Sequence, residues 1–331
     1  MNNTLLVVVI VVGLVFDFTN GFRDTANYVA TWVGTRALTP RMAVAVSAVA
    51  NLAGAFVTTA VAKTVAKGII DAHLATQKTI LAALLGAIVW NLLTWWIGLP
   101  SSSTHALIGG LIGAALVQSG ASGVQWHGIV EKVVIPGAVS PVIGFAGAFV
   151  LMVIIYRVFF RVRPGIVHRG FRYGQLVTGT WVAFTHGAND AQKTMGVITL
   201  ALIANGNLSA DTFNVPIWVK IGAGLTIAAG TYAGGWRIIR TLGQRIYKMQ
   251  PEHGFAAQLS AGSTLFVGTH FGFPISTTHV VTGSIMGAGA TRGISAVKWG
   301  IAGNILVAWL LTLPAAALVS AALYYPVSWI F

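Results

Sequence analysis

Two short polar motifs, each carrying an aspartate, interrupt otherwise apolar stretches of the chain. Residues 20–27 read Asn-Gly-Phe-Arg-Asp-Thr-Ala-Asn and residues 186–193 read His-Gly-Ala-Asn-Asp-Ala-Gln-Lys, so Asp24 and Asp190 occupy equivalent positions. An ionisable side chain inside a membrane-spanning segment costs roughly 3 kcal/mol or more, so it normally faces a partner or a wet cavity. We interpret both motifs as ends of interrupted helices, where the carboxylates could coordinate a cation or carry a proton. The alternative is an ion pair with the basic residue of the same motif.

A second pair of motifs carries clustered hydroxyl groups. Residues 100–105 read Pro-Ser-Ser-Ser-Thr-His and residues 274–279 read Pro-Ile-Ser-Thr-Thr-His. A proline can start a helix and the following hydroxyls can cap its first turn, leaving free backbone N–H groups that form an anion site. Two such helix ends facing each other would suit a tetrahedral oxyanion. The candidate ligands are Ser102, Ser103, Thr104, Ser276, Thr277 and Thr278.

Several titratable or polar residues accompany these motifs. His105 and His279 directly follow the hydroxyl clusters, and we expect them to fix the turns rather than to bind a metal. His186 stands where the first motif has Asn20, which makes it a candidate for proton coupling, and Asp17 is a further carboxylate near the same position. The candidate coupling-ion residues are Asp24, Asp190, His186 and Asn20.

Both motifs recur in the same order, at offsets of 166 and 174 residues, so the chain is internally duplicated. Its composition places this duplication in a membrane. Apolar residues make up 56% of the 331 residues and charged residues 8%, and the mean hydropathy is +0.79. A soluble domain would have too little polar surface, whereas a bilayer accepts such a chain. We therefore predict an all-α polytopic membrane protein.

The net charge of +13 does not indicate a nucleic-acid partner. The 20 basic residues cluster in short loops between apolar segments, as the positive-inside rule predicts. No solvated basic face remains for a duplex. Because the chain contains no cysteine, it has neither disulfides nor a thiolate metal site, and we expect no resident metal and no cofactor.

Apolar segments of about 20 residues are long enough to cross a bilayer. They give at least ten crossings, or 10–12 with broken helices, and residues 4–16 are expected to remain as part of the first span. The stretches 4–35 and 128–156 exceed one bilayer thickness, and Pro136 and Pro141 are expected to break the second of them. The segments begin near residues 4, 41, 79, 104, 128, 175, 215, 255, 276 and 299.

The Lys and Arg bias places both termini outside the cytoplasm. Five crossings per half is an odd number, so the second half enters from the opposite side and the duplication is an inverted repeat. We expect a first transmembrane repeat over 1–156, a basic cytoplasmic linker over 157–174 and a second, inverted repeat over 175–331. The cytoplasmic basic residues would be Arg36, Arg41, Arg157, Arg161, Arg163, Arg169, Arg172, Arg237, Arg240, Arg245, Lys248, Arg292 and Lys298.

The chain resembles the inorganic phosphate transporter (PiT) family of low-affinity phosphate permeases. The resemblance rests on Gly21–Asn27, on Gly187–Asp190, on both hydroxyl turns and on Gly234–Arg237, and it covers essentially the whole chain. It implies symport of inorganic phosphate across the inner (cytoplasmic) membrane, an inverted-repeat fold in the lipid bilayer and a homodimer. The implied substrate-binding residues are Asp24, Asn27, Ser102, Ser103, Thr104, Asn189, Asp190, Lys193, Ser276, Thr277 and Thr278.

The second carboxylate motif departs from the sodium-coupled members of that family. Gln192-Lys193 replaces the Ala-Asn that would mirror Ala26-Asn27, and a fixed ammonium group there disfavours a sodium ion. The motif is similar to that of bacterial members thought to be proton-coupled, some of which carry phosphate as a neutral complex with a divalent metal. We therefore expect a co-transported proton, with sodium coupling or sulfate permeation as alternatives.

Two other classes of function stay open from the sequence. An intramembrane hydrolase could use Ser103, His105 and Asp24, although their inverted duplication suits a symmetric site better than one nucleophile with one base. A passive anion channel is the other. We expect a transporter and not an enzyme.

Overall fold

The computed structural model describes residues 3–234 and 249–331, and over these residues the secondary structure is helical apart from one isolated bridge between Ile70 and Val124. The α-helices are α1 Asn3–Asp24, α2 Ala26–Gly34, α3 Pro40–Gly54, α4 Ala60–Lys67, α5 Gln77–Trp96, α6 Ser103–Ser119, α7 Trp126–Ile129, α8 Ile135–Val158, α9 Pro164–Ala204, α10 Ile217–Ala233, α11 Pro251–His270, α12 Thr277–Ala290 and α13 Trp299–Ile330. A π-helix spans Val130–Val134, and short 3-10 helices span Gly120–Gly123 and Ile294–Ala296.

The prediction of an all-α polytopic membrane protein is confirmed. Helices lie at all ten predicted positions, and five apolar segments of the described chain are long enough to cross a membrane: Asn3–Gly34, Gln77–Trp96, Ser103–Gly123, Trp126–Val158 and Trp299–Ile330. Helices α3 and α12 have 15 and 14 residues and are each roughly 20 Å long, so each covers only part of the hydrocarbon core. The predicted basic loop from Arg237 to Lys248 lies outside the described residues.

The predicted helix break at Pro136 and Pro141 is wrong. A π-helical turn, Val130–Val134, precedes Pro136, and α8 then runs without interruption through Pro141. Pro136 is the second residue after that π-helical turn, and the chain is helical without a gap from Trp126 to Val158, so Pro136 does not end a helix. Pro141 leaves the carbonyl of Gly137 without its helical donor, and the imidazole of His279 interacts with the Gly137 backbone instead.

The two carboxylate motifs are also less interrupted than predicted. In the first, only Thr25 separates α1 from α2, and its φ of −46° and ψ of −35° are still helical. In the second, Asp190 lies inside the unbroken 41-residue helix α9. That helix is roughly 60 Å long, about twice the hydrocarbon core, and its first residues, 164–174, are the larger part of the predicted linker.

Both carboxylate motifs lie where the chain passes from one apolar core to another. Phe16 on α1 and Ala191 on α9 pack in one core, whereas Ala26 on α2 and Ala183 on α9 pack in the second. The residues between them on each helix sit at the junction of the two cores. The apolar packing therefore holds the two motifs at one level of the molecule.

The helices of the two halves pack in matched pairs. Helix α13 crosses α6 as α8 crosses α12, and α10 crosses α1 as α3 crosses α9. Glycines allow these close crossings, because a Cβ on Gly113 would lie 2.0 Å from the carbonyl oxygen of Ala317, and one on Gly287 would lie 2.1 Å from that of Phe145. Gly187, the equivalent of Gly21, serves packing in the same way, which explains why it does not end a helix.

We expect Gly113→Ala to destabilise the protein by about 1–3 kcal/mol, because the new methyl group would overlap the α13 backbone. The apparent melting temperature in detergent should fall. Gly303→Ala on α13 is the matched control, since nothing lies within 4 Å of its added Cβ, and its melting temperature should not fall. An unchanged melting temperature for Gly113→Ala would contradict the tight crossing.

Candidate functional site

Each aspartate of the carboxylate motifs accepts a hydrogen bond from the hydroxyl turn of its own half. Ser103 Oγ donates to Asp24 Oδ2 at 2.8 Å, and Thr277 Oγ1 donates to Asp190 Oδ1 at 3.3 Å. All four residues are buried. The two contacts are equivalent under the internal duplication, because Ser103 corresponds to Thr277 and Asp24 to Asp190.

The residue three positions after each aspartate contacts the hydroxyl turn of the other half. Asn27 Nδ2 donates to Thr278 Oγ1 at 3.1 Å, and Lys193 Nζ donates to Thr104 Oγ1. Four equivalent contacts thus join both motifs to both turns. We call the residues that make these contacts the central cluster: Asp24, Asn27, Ser103, Thr104, Asp190, Lys193, Thr277 and Thr278.

One hydroxyl of each turn, at equivalent positions, caps the helix that follows, as predicted. Ser102 Oγ accepts from the backbone N–H of His105 at 3.1 Å, and Ser276 Oγ accepts from that of His279 at 3.4 Å. These two candidate ligands are therefore engaged with the backbone. The caps start α6 and α12 in the central cluster, so the positive ends of both helix dipoles lie there.

Arg23 and Asn189, which occupy equivalent positions, hold the segments that lead into the two turns. Arg23 donates to the carbonyl oxygen of Ser101 at 2.5 Å and to Asn91 Oδ1 at 2.7 Å. Asn189 Nδ2 donates to the carbonyl oxygen of Phe273 at 3.1 Å and to a threonine hydroxyl on α11. The amide nitrogen of Asn189, a predicted substrate ligand, is thus used to position the second turn.

Two buried ion pairs neutralise the two aspartates. Lys193 Nζ lies 2.7 Å from Asp190 Oδ1, and Arg23 lies 3.3 Å from Asp24 Oδ1. The compensating cation follows the aspartate in one motif and precedes it in the other, so the duplicated site is not symmetric in charge. Burying such charges is tolerated only with good pairing and additional hydrogen bonds, and both pairs have them.

The predicted coupling-ion residues lie together. Asp24, His186 and Asp190 each offer a ligand atom, and these atoms lie within 4.8 Å of one another. Asn20 Nδ2 donates to Asp190 Oδ2 at 3.1 Å. Two carboxylates and one imidazole form a donor set that could hold a cation.

Sequence reasoning did not identify Asn51 as part of this region. His186 Nδ1 lies 2.6 Å from Asn51 Oδ1, so this amide of α3 orients the imidazole. The only signal in the sequence is a single amide within an apolar span. Gln192, which departs from the family motif, also has a structural role. Its side-chain oxygen accepts from the backbone N–H groups of Val61 at 2.9 Å and Ala62 at 3.2 Å, and so caps α4.

The geometry does not favour the hydrolase alternative. The Ser103 hydroxyl donates directly to Asp24, whereas the ring of His105 lies 4.8 Å from that of His279. The ring of His279 also stacks on Trp309 at 3.9 Å, and both imidazoles line an apolar cavity beside α8. An imidazole positioned this way does not act as a base for the serine.

Comparison with known proteins places this arrangement in a family. The profile of the phosphate transporter family matches residues 20–320. The chain belongs to the phosphate transporter family. A relative from Mycobacterium bovis, named as a probable low-affinity inorganic phosphate transporter, is 50% identical over 320 residues, which is 97% of this chain and 77% of the relative.

Two further phosphate transporters extend the similarity. A Rhizobium meliloti protein of the same description is 49% identical over 324 residues, covering 97% of this chain and 96% of the relative. A solved structure described as the sodium-dependent phosphate transporter is 28% identical and superposes with a TM-score of 0.92. That comparison covers 99% of this chain and 100% of the other. The fold and the family therefore agree over nearly the full length.

We expect Lys193→Met to destabilise the protein by about 3–5 kcal/mol, because it leaves the Asp190 carboxylate buried without its cation. Adding Asp190→Asn should recover most of that loss, so that the double variant is more stable than Lys193→Met alone. Apparent melting temperatures in detergent would measure both effects. Lys63→Met, at an exposed lysine, is the matched control. Additive losses in the double variant would contradict a coupled pair.

Proposed function

We propose that this transporter imports inorganic phosphate by symport with protons and that the central cluster binds the phosphate. The observation that carries the proposal is the convergence of two capped helix starts, four hydroxyls and the Lys193 ammonium on two buried aspartates. Hydroxyls, backbone N–H groups and an ammonium group are the donors that bind a tetrahedral oxyanion. The central cluster contains residues of both carboxylate motifs and both hydroxyl turns. Motion of a motif relative to a turn would therefore open the phosphate site.

The carboxylates supply selectivity in this proposal. Monohydrogen phosphate carries one P–OH group, which can donate to a carboxylate such as Asp24 or Asp190. Sulfate has the same shape but no proton to donate, so a buried carboxylate would face it without a hydrogen bond. A site built to accept a substrate hydrogen bond discriminates strongly against an analogue that lacks the donor. This argument favours phosphate over sulfate.

Charge balance supports cation coupling. The two ion pairs make the central cluster close to neutral, so an entering phosphate dianion needs compensating cations. Lys193 stands where the first motif has the neutral Asn27, and its ammonium group takes the place that a small cation would need beside Asp190. This favours protons as the coupled cation. A phosphate that enters as a neutral complex with a divalent metal would meet the same charge requirement.

Sodium coupling is the second candidate, because two observations favour it. The solved structure with a TM-score of 0.92 is described as sodium-dependent. In addition, Asp24, His186 and Asp190 offer ligand atoms within 4.8 Å of one another, which suits a cation. The two candidates predict different results in a transport assay: proton coupling predicts phosphate accumulation driven by a pH gradient alone, whereas sodium coupling predicts accumulation that requires a sodium gradient.

The membrane orientation is part of the proposal. We infer that the protein lies in the cytoplasmic membrane with both termini outside and that it assembles as a homodimer. The arginines of the 157–174 segment are all exposed, as expected for a segment that lies in the cytoplasm. Large apolar side chains are exposed along α8 and α13, which fits contact with lipid or with a second copy.

We expect purified protein in proteoliposomes to accumulate radiolabelled phosphate when a pH gradient alone is imposed. Asp24→Asn and Asp190→Asn should each abolish this accumulation, whereas Asp211→Asn, at an exposed carboxylate, should not affect it. Accumulation that requires a sodium gradient would support sodium coupling and overturn the proton proposal. Near-normal uptake by either buried-aspartate variant would remove that residue from the mechanism.

The hydroxyls should affect substrate affinity. Ser103→Ala and Thr277→Ala each remove a hydrogen bond in the central cluster, which is worth about 1.5–3 kcal/mol when one partner is charged. We expect the apparent KM for phosphate to rise by roughly tenfold or more before the maximal rate falls. Ser122→Ala, at an exposed serine, is the control. An unchanged KM would mean that these hydroxyls only organise the helix starts.

The absence of cysteine allows a direct test of the orientation, because the unsubstituted protein has no reactive thiol. In intact cells, a membrane-impermeant maleimide should label Ser122→Cys but not Arg163→Cys. Both positions are exposed. After the cells are opened, both should be labelled, and the reverse pattern in intact cells would invert the proposed orientation.

A further inference from the structure

Asp17 is a buried carboxylate that the central cluster does not use. It lies on α1, with no exposed surface, and Thr194 Oγ1 donates to its Oδ1 at 2.9 Å. Within residues 3–234 and 249–331, its Oδ2 has no hydrogen-bond partner. The Oδ1 of Asn20, three residues further along the same helix, has none either. Two buried acceptors therefore share one helix face without a donor between them.

Asp17 also differs from the other two aspartates in charge compensation. Asp24 is paired with Arg23 and Asp190 with Lys193, but no ion pair involves Asp17 in the described part of the chain. The charged groups that act on it electrostatically are Asp190 and Lys193. The titratable groups on the helices packed against α1 are Tyr28 on α2, Lys78 on α5, His168, Arg169, Arg172, Tyr173, His186, Asp190 and Lys193 on α9, and Lys220 and Tyr232 on α10. Arg169 and Arg172, near the start of α9, are exposed.

These groups leave Asp17 without a dedicated cation. Lys193 already contacts Asp190 and Thr104, and Lys78 donates to the carbonyl oxygen of Ser328 at 3.3 Å. An ionised Asp17 would therefore be a buried charge without a paired cation, which is strongly unfavourable. A proton removes this charge. The resulting O–H group could donate to the unpartnered Asn20 Oδ1, because residues three apart are neighbours on a helix surface.

We propose that Asp17 is a proton-binding site of this transporter and that it carries one of the protons that cross with phosphate. The inference rests on the proposed proton symport. The Asp17 carboxylate takes a proton from the outer side to become a carboxylic acid, and it returns the same proton to the cytoplasmic side after phosphate has left. No other bond forms or breaks.

Asn20 connects this proton site to the phosphate site. Its amide nitrogen donates to Asp190 Oδ2 at 3.1 Å, while its carbonyl oxygen is the acceptor that a protonated Asp17 needs. Asp190 in turn contacts Lys193 and Thr277 of the central cluster. Protonation of Asp17 fixes the orientation of the Asn20 amide and with it one hydrogen bond to Asp190. Proton binding and phosphate binding are thereby linked through a single side chain.

Asp17→Asn tests the proposal because the asparagine amide donates a hydrogen bond to Asn20 as a protonated Asp17 would, but it cannot release a proton. In proteoliposomes with a trapped pH-sensitive dye, we expect accumulation driven by a pH gradient to fall at least tenfold. The number of protons entering per phosphate should fall by one. Exchange of external radiolabelled phosphate for internal phosphate at equal pH should stay within about threefold of the unsubstituted protein. The control is Asp211→Asn, which should keep accumulation, proton stoichiometry and exchange.

Each other outcome would overturn the assignment of Asp17. Unchanged accumulation with unchanged proton stoichiometry would show that Asp17 carries no coupled proton. Loss of exchange in a variant that is monodisperse on size-exclusion chromatography would assign Asp17 to phosphate binding or to structure. If the unsubstituted protein accumulates phosphate only with sodium, the proposed proton symport itself fails, which is visible without any variant. If, in that case, Asp17→Asn loses only the sodium-driven uptake, Asp17 would instead be assigned as a sodium ligand.

Thr194→Val provides an independent test that does not depend on the folding of Asp17→Asn. The valine removes the hydroxyl that donates to Asp17 Oδ1 and stabilises its ionised form. The proton should therefore bind more tightly, and the pH at which uptake is half-maximal should rise. Thr226→Val, on α10, removes a hydroxyl that donates to its own helix at Gly222, and it should leave this pH unchanged. An unshifted pH profile for Thr194→Val would contradict the proposal.

Discussion

The interior of this transporter depends on charge compensation. Arg23 and Lys193 are almost fully buried, and each is retained because it faces an aspartate and further oxygen acceptors. An uncompensated charge at this depth would cost more than most single contacts contribute, so the pairs constrain which rotamers and helix positions are allowed. The hydroxyl turns, the carboxylate motifs and the junction of the two cores are all placed consistently with these two pairs.

The same compensation gives the central cluster its chemical character. Four hydroxyls and an amide surround two neutralised carboxylates, so the cluster can accept hydrogen bonds as well as donate them. A purely cationic pocket would attract any small anion, whereas this arrangement favours an anion that also donates a hydrogen bond. The two helix starts add a positive potential without adding a mobile charge. Selectivity and charge balance are therefore properties of one set of contacts.

The duplicated motifs and the local helix caps of this structure could be predicted from the sequence. Features that depend on packing between distant helices could not. The offsets of 166 and 174 residues correctly matched Asp24 with Asp190 and Ser103 with Thr277, because identical or chemically similar side chains at a fixed spacing carry that information. The serine caps were also predictable, since they are local. The uninterrupted course of α9 through Gly187 was not, because that glycine serves a close approach to α3.

Long-range partners were similarly beyond the sequence. The contact of Asn51 with His186, the cap that Gln192 provides for α4 and the use of Asn189 to hold the Phe273 carbonyl each join residues more than 80 positions apart. No local pattern marks such pairs. The π-helix before Pro136 was missed for a different reason, because two prolines favour a break unless neighbouring helices hold the segment.

Because the helices of the two halves pack in matched pairs, contacts between the halves hold the fold together, and the covalent link between them contributes little to it. Helix α6 has its close partner in α13 and helix α12 has its close partner in α8, so each half buries its glycine faces against the other half. If the chain were cut between α8 and α9, these contacts would become an interface between two subunits. The link then acts by raising the effective concentration of one half around the other. The pairing of α6 with α13 also has a consequence for synthesis, because α6 leaves the ribosome long before α13 has been made. The glycine face of α6 therefore stays exposed to lipid until synthesis is nearly complete.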